Sequence, residues 1–172
     1  MQALLTGEGG SVVLPAMPLL DRADGGNLIV NPPRAVWERA LLSRDELIAW
    51  SFLVAATGAA MLDTLPQLAG GCVNYWEAGN WALNEAAPPL GTKSAPASRQ
   101  VHMHLFGRSP RALDPAWRWG EAPRFPDFAE REAWAASHAP LTAAECAAVA
   151  ARIVDVLQTR YGVDPATLSR FV

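Results

Sequence analysis

The stretch Gln100-Val-His102-Met-His104-Leu-Phe106-Gly-Arg108 decides how this chain is read. Polar or aromatic residues at 100, 102, 104 and 106 alternate with apolar ones at 101, 103 and 105. A strand sends successive side chains to opposite faces, so this is a period-two pattern. Val101, Met103 and Leu105 would face a helical layer, and Gln100, His102, His104 and Phe106 the other surface. The two histidines would stand roughly 7 Å apart along the strand. An imidazole pair on one strand has three readings. It can bind zinc or iron if a third ligand exists, and no such ligand stands at a recognisable spacing. It can be structural. Or one neutral imidazole can attack an electrophilic phosphorus.

Upstream, Ser11-Val-Val-Leu14 and Asn27-Leu-Ile-Val-Asn31 read as strands, the second stopped by Pro32-Pro33. Leu19-Leu-Asp21 reads as a third short strand, and Asp24-Gly-Gly26 as a turn closing an antiparallel hairpin. Ser43-Arg-Asp-Glu46 has the form of a capping box, with each side chain able to bond the other residue's amide. It opens a long apolar helix ending near Leu65. The uncharged run from Leu47 to Leu62 is interrupted by Ser51, Thr57 and Gly58 and is short for a membrane span, so a buried helix is expected. Cys72-Val-Asn-Tyr-Trp76 reads as another strand.

Residues 84–98 carry prolines, Gly91 and small side chains without periodicity, and read as a loop of unusual length. Residues 109–126 are irregular and rich in tryptophan and proline. Thr142-Ala-Ala-Glu145 is a second capping box, opening a helix stopped at Gly162. Its buried stripe should be Cys146, Val149, Ile153, Val156 and Leu157. The whole predicts one α+β domain over 1–172, an antiparallel sheet with two main helices.

Composition narrows the function. With 172 residues and 51% hydrophobic residues, the chain can bury a core without disulfide or metal. A net charge of −3 argues against double-stranded nucleic acid as the partner. Cys72 and Cys146 form no CxxC pair, so both are expected as buried thiols. The first residues lack a basic segment followed by an apolar one, so no export signal is expected and the location is read as cytoplasmic, with no membrane contact.

The strand at 100–106 resembles the signature of the histidine triad (HIT) superfamily, three histidines alternating with apolar residues. The resemblance extends in family order over roughly 19–108. Gly25-Gly-Asn-Leu-Ile-Val-Asn-Pro-Pro33 is similar to the family's Gly-His-Leu-Leu-Val-Ile-Pro segment, and Asn74 and Gly79-Asn80 to its Asn-bearing strand and turn. Gln100 stands where the first triad histidine usually sits, and Asn27 where many members have a further histidine. A bacterial branch of the family has Gln-x-His-x-His-x-x-Gly-Arg followed by Asp-Pro-Ala-Trp and Trp-Gly; here these are Asp114-Pro-Ala-Trp117 and Trp119-Gly120. In that comparison 84–98 looks like an insertion that could alter access to the site.

The resemblance implies a HIT-like fold, a homodimer, and hydrolysis or transfer at the α-phosphate of a nucleotide conjugate, such as a dinucleoside polyphosphate or a nucleoside phosphoramidate. His102 would be the nucleophile, forming a nucleotidyl-histidine, and His104 a donor to oxygen or to the leaving group. Asn27, Asn74, Asn80, Gln100 and Arg108 would contact substrate; a structural or solvated Arg108 is the competing reading. No metal or cofactor is required by this chemistry. The rivals are a nucleotide-binding module that does not turn its ligand over, since two imidazoles are replaced, and a metalloprotein using the His-x-His pair. Among the aromatics, Trp37, Trp50 and Trp134 read as core or interface. Trp76, Trp81, Trp117 and Trp119 fall near the proposed site. His138 reads as solvated.

Overall fold

A computed structural model describes residues 1–171. It is α+β: a six-stranded antiparallel sheet and four helices among the described residues. The strands are β1 (Gln2–Gly7), β2 (Gly10–Leu14), β3 (Asn27–Asn31), β4 (Cys72–Ala78), β5 (His102–Arg108) and β6 (Ser169–Arg170), in the order β4-β5-β3-β2-β1-β6. The helices are α1 (Arg44–Thr64), α2 (Ala95–Ser98), α3 (Arg131–Ala136) and α4 (Ala143–Tyr161).

Both capping boxes form. Ser43 accepts from the Glu46 amide while Glu46 accepts from the Ser43 amide, and Thr142 and Glu145 repeat the exchange. Gly162 ends α4 at φ 69°, a left-handed conformation that favours glycine. The expected stripe of α4 is buried throughout. It packs with α1 over one face of the sheet, where Val101, Met103 and Leu105 meet Trp50, Leu53, Ala56 and Met61. α1 alone among the described helices is long and apolar enough to cross a membrane. Here it lies on the sheet and against α4.

The sequence reading is corrected at four places. β1 was not anticipated, and it forms the tight hairpin with β2. Leu19–Asp21 is not a strand. Leu19 and Leu20 are buried in a second apolar cluster, and Asp21 caps a 3-10 turn at Arg22–Asp24. β3 does pair antiparallel with β2, but across a long connection rather than a tight turn. Cys72 is exposed on β4, and only Cys146 is buried.

The second cluster covers part of the opposite sheet face. Phe106, Leu19, Leu20, Ala116 and Trp117 are buried there, with Phe125 and Trp134 against them. The indoles of Trp117 and Trp134 both donate to the Leu19 carbonyl, at 3.1 and 3.0 Å. The buried Asp24 carboxylate accepts from the amides of Leu113 and Asp114 at 2.8 and 2.9 Å, which fastens the irregular segment to the sheet. At Gly25 and Gly107 the backbones pass so closely that a Cβ on either would meet the other's carbonyl carbon or oxygen. This cover ends at Trp76 and Phe125, whose rings lie 4.0 Å apart. Beyond it the sheet face opens.

Candidate active site

The open part of the sheet forms the floor of a cleft of about 750 Å³. Antiparallel register builds that floor. On β4, Ala78 lies opposite His102 and Trp76 opposite His104; on β3, Ile29 lies opposite His104. The two imidazoles, Trp76, Trp81, Asn31 and Gln100 all line the cleft. His102 is half-buried, while His104 is only 9% exposed and stacks on Phe106 with rings 5.3 Å apart and 7° from parallel. The face opposite the helices is therefore not a free surface at His104, because the aromatic cover shields one side of it.

The hydrogen bonds assign the protons. His102 Nδ1 lies 3.0 Å from the Gln100 carbonyl. A carbonyl only accepts, so this nitrogen carries the hydrogen. In the neutral ring Nε2 then holds a lone pair. His104 Nε2 lies 3.2 Å from it and must supply the proton of that contact. The His104 Nδ1 is left as an acceptor, 3.5 Å from the Asn27 amide nitrogen.

Electrostatics keep both rings neutral. Burial lowers the His102 pKa below the ordinary imidazole value; the Gln100 carbonyl opposes this, and the nearby Arg99 adds to the lowering. Burial, with His102 as neighbour, pushes His104 down to about 3. The arginines around the cleft are already matched with carboxylates. Arg34 holds Glu46, Arg39 holds Glu77, and Arg99 holds Glu38. The chain's one lysine, Lys93, donates to the carbonyls of Asn84 and Ala87.

The expected contact residues divide. Gln100 and Asn80 stand at the cleft, Asn80 accepting from Arg99 Nε at 3.1 Å. Gln100 lies just before β5, and its backbone carbonyl is what orients His102. Asn74 shares the site's face but pairs with Phe106, one step beyond His104, and does not line the cleft. Two of the assignments to substrate are corrected. Asn27 is 2% exposed and its amide donates to the carbonyls of Leu28 and Leu105, at 3.0 and 3.3 Å. Arg108 is 5% exposed, and its Nη2 donates to the carbonyls of Trp117, Arg118 and Glu121. Its guanidinium also lies over the Trp117 ring.

Arg108 thus pins the irregular segment rather than waiting for phosphate. Arg108→Ala should cost about 2 kcal/mol, since it loses charge-assisted bonds to the backbone and the packing on Trp117. Urea unfolding checks this. Near-native stability together with a raised KM would instead return Arg108 to substrate.

Trp76 and Trp81 line the cleft as expected, but Trp117 is buried in the cover and Trp119 lies exposed away from the cleft. His138 is not solvated: its side chain is 8% exposed, stacks on Trp134, and bonds Asp114 at 3.1 Å. The 84–98 stretch is not a loop throughout, since its last four residues form α2, and of the stretch only Ser98 lines the cleft. Among the described residues no group of three or more His, Cys, Asp or Glu is placed to hold a metal. The apolar end of the cleft, with Met1, Pro15, Met17 and Ile29, was missed, as was Asn31. Alternation from Asn27 and Ile29 carries Asn31 to the site's face, so that signal was available. Comparison with protein-family models and with curated proteins finds no match for this chain.

Proposed function

We propose that this protein is a HIT-like nucleotide hydrolase or nucleotidyl transferase that works through a covalent nucleotidyl-histidine at His102. One observation carries the reading. A neutral, half-buried imidazole lines a cleft of about 750 Å³, and anchoring its Nδ1–H on a backbone carbonyl leaves the lone pair on Nε2. A second imidazole holds an N–H 3.2 Å from that lone pair. In the first step Nε2 bonds to the α-phosphorus as the bond to the leaving group breaks. The His104 N–H donates a hydrogen bond to a non-bridging oxygen, and the leaving group departs with a proton taken from solvent. In the second step water attacks phosphorus, the bond from phosphorus to His102 Nε2 breaks, one proton of the water goes to solvent, and the neutral His102 ring is restored.

The charge pattern favours one of the two substrate classes. With Arg34, Arg39 and Arg99 each engaged by a carboxylate, the cleft offers little free positive charge to a polyphosphate. A nucleoside phosphoramidate carries a single phosphate and suits the largely apolar walls. The kcat/KM for adenosine 5′-phosphoramidate should exceed that for diadenosine tetraphosphate by about tenfold or more, equivalent to about 1.4 kcal/mol. Equal or reversed values count against the charge argument. If neither substrate yields AMP, and nucleotide binds equally to the wild type and His102→Ala, the protein is a binding module instead.

The reading includes a cytoplasmic location and the homodimer that the resemblance implies. The free edge of β4, with exposed Tyr75 and Trp76, is where a second copy could extend the sheet.

A further inference from the structure

We propose that Asn27 is a positioning residue: it fixes which nitrogen of His104 carries the proton, and thereby which histidine can attack. Its consequence for turnover rests on the function proposed above; the proton assignment itself does not.

Asn27 Nδ2 lies 3.0 Å from the Leu28 carbonyl and 3.3 Å from the Leu105 carbonyl. Both groups only accept, so the nitrogen must face them. The reversed amide would set Oδ1 against two carbonyl oxygens. Oδ1 is left buried with no partner, a cost that this orientation carries and that two carbonyl–carbonyl oxygen contacts would exceed. The same nitrogen lies 3.5 Å from His104 Nδ1, so its two hydrogens serve three acceptors and one is shared between a carbonyl and the ring. An N–H on that ring atom would confront the amide N–H, so Nδ1 is kept unprotonated.

The other end of the chain is fixed by the Gln100 carbonyl, which demands a proton on His102 Nδ1. Between the two ends the Nε2 atoms of the two rings, 3.2 Å apart, share one proton. Both ends give that proton to His104. The four groups therefore form one directed chain, Asn27 to His104 to His102 to the Gln100 carbonyl. His102 keeps the lone pair and His104 the donor hydrogen. A role exchange between them would require turning the Asn27 amide against Leu28 and Leu105.

Long-range proton–nitrogen correlation spectra of the nitrogen-15-labelled protein at neutral pH read each tautomer directly. The wild type should show His102 protonated on Nδ1 and His104 on Nε2. In Asn27→Asp the new carboxylate accepts, and His104 Nδ1 should acquire a proton. A folded Asn27→Asp protein with His104 still protonated on Nε2 alone overturns the proposal. A residue that only filled space would leave the tautomer unmoved.

If Asn27→Asp does not fold, Asn27→Leu removes the donor at similar volume. In that variant His104 should show both the Nδ1–H and the Nε2–H tautomer, and a ring still protonated on Nε2 alone overturns the proposal. The stated tautomers in a protein that releases no AMP would uphold Asn27 while removing the proposed function.

Discussion

Replacing His102 with alanine is expected to lower turnover of adenosine 5′-phosphoramidate by roughly 10⁴-fold or more, because the bond-forming atom is gone. The fold should survive. The ring is half-buried at the cleft, and its bonds are to the Gln100 carbonyl and to His104. Unfolding free energy should change by about 1 kcal/mol or less. AMP release and urea unfolding, measured on the same preparation, separate the two effects. A folded variant that keeps most of its turnover would contradict the assignment of the nucleophile.

His104→Ala is expected to lower kcat by about 10²- to 10³-fold with little change in KM, the loss typical of one donor to a developing negative oxygen. Stability should fall more than in His102→Ala, since the ring stacks on Phe106 and is buried. The pH profile follows from the same geometry. Protonating His102 on Nε2 removes the nucleophile, so kcat/KM falls as pH drops through its pKa. Burial and Arg99 lower that pKa, so the decline should begin below the ordinary imidazole value of 6.5. His104, at about 3, should add no limb between pH 5 and 8. An acid limb at or above the ordinary value would mean a ring more solvated than this one.

Local signals made the helices legible. The Ser43/Glu46 and Thr142/Glu145 pairs each satisfy their amides within four residues, so the contacts lie inside the motif itself. Alternation from Val101 to Phe106 gave the correct faces of β5 for the same reason. β1 escaped because its register shifts between Ala3 and Leu5, a bulge that buries the adjacent Leu4 and Leu5 together and erases the period of two. Leu19–Asp21 looked like a strand because its partners are distant: the indoles of Trp117 and Trp134 on the Leu19 carbonyl.

The site was legible where the strand alone determined it. His102 and His104 share a face by spacing, and the structure brings their rings together. Asn27 and Arg108 were misassigned because their environments are made by other segments. β5 lies across from Asn27 in the sheet, and the carbonyls that hold Arg108 belong to an irregular stretch with no periodicity to read. His138 is paired with Asp114, 24 residues away, by the same kind of long-range closure.

The most direct measurement is to quench the protein in mid-turnover with alkaline denaturant, which preserves a phosphorus–nitrogen bond, and to map the adduct by peptide mass spectrometry. The account predicts one nucleoside monophosphate on the peptide containing His102, bonded to that residue, and none in His102→Ala. Turnover without such an adduct, or an adduct on a different residue, would contradict it.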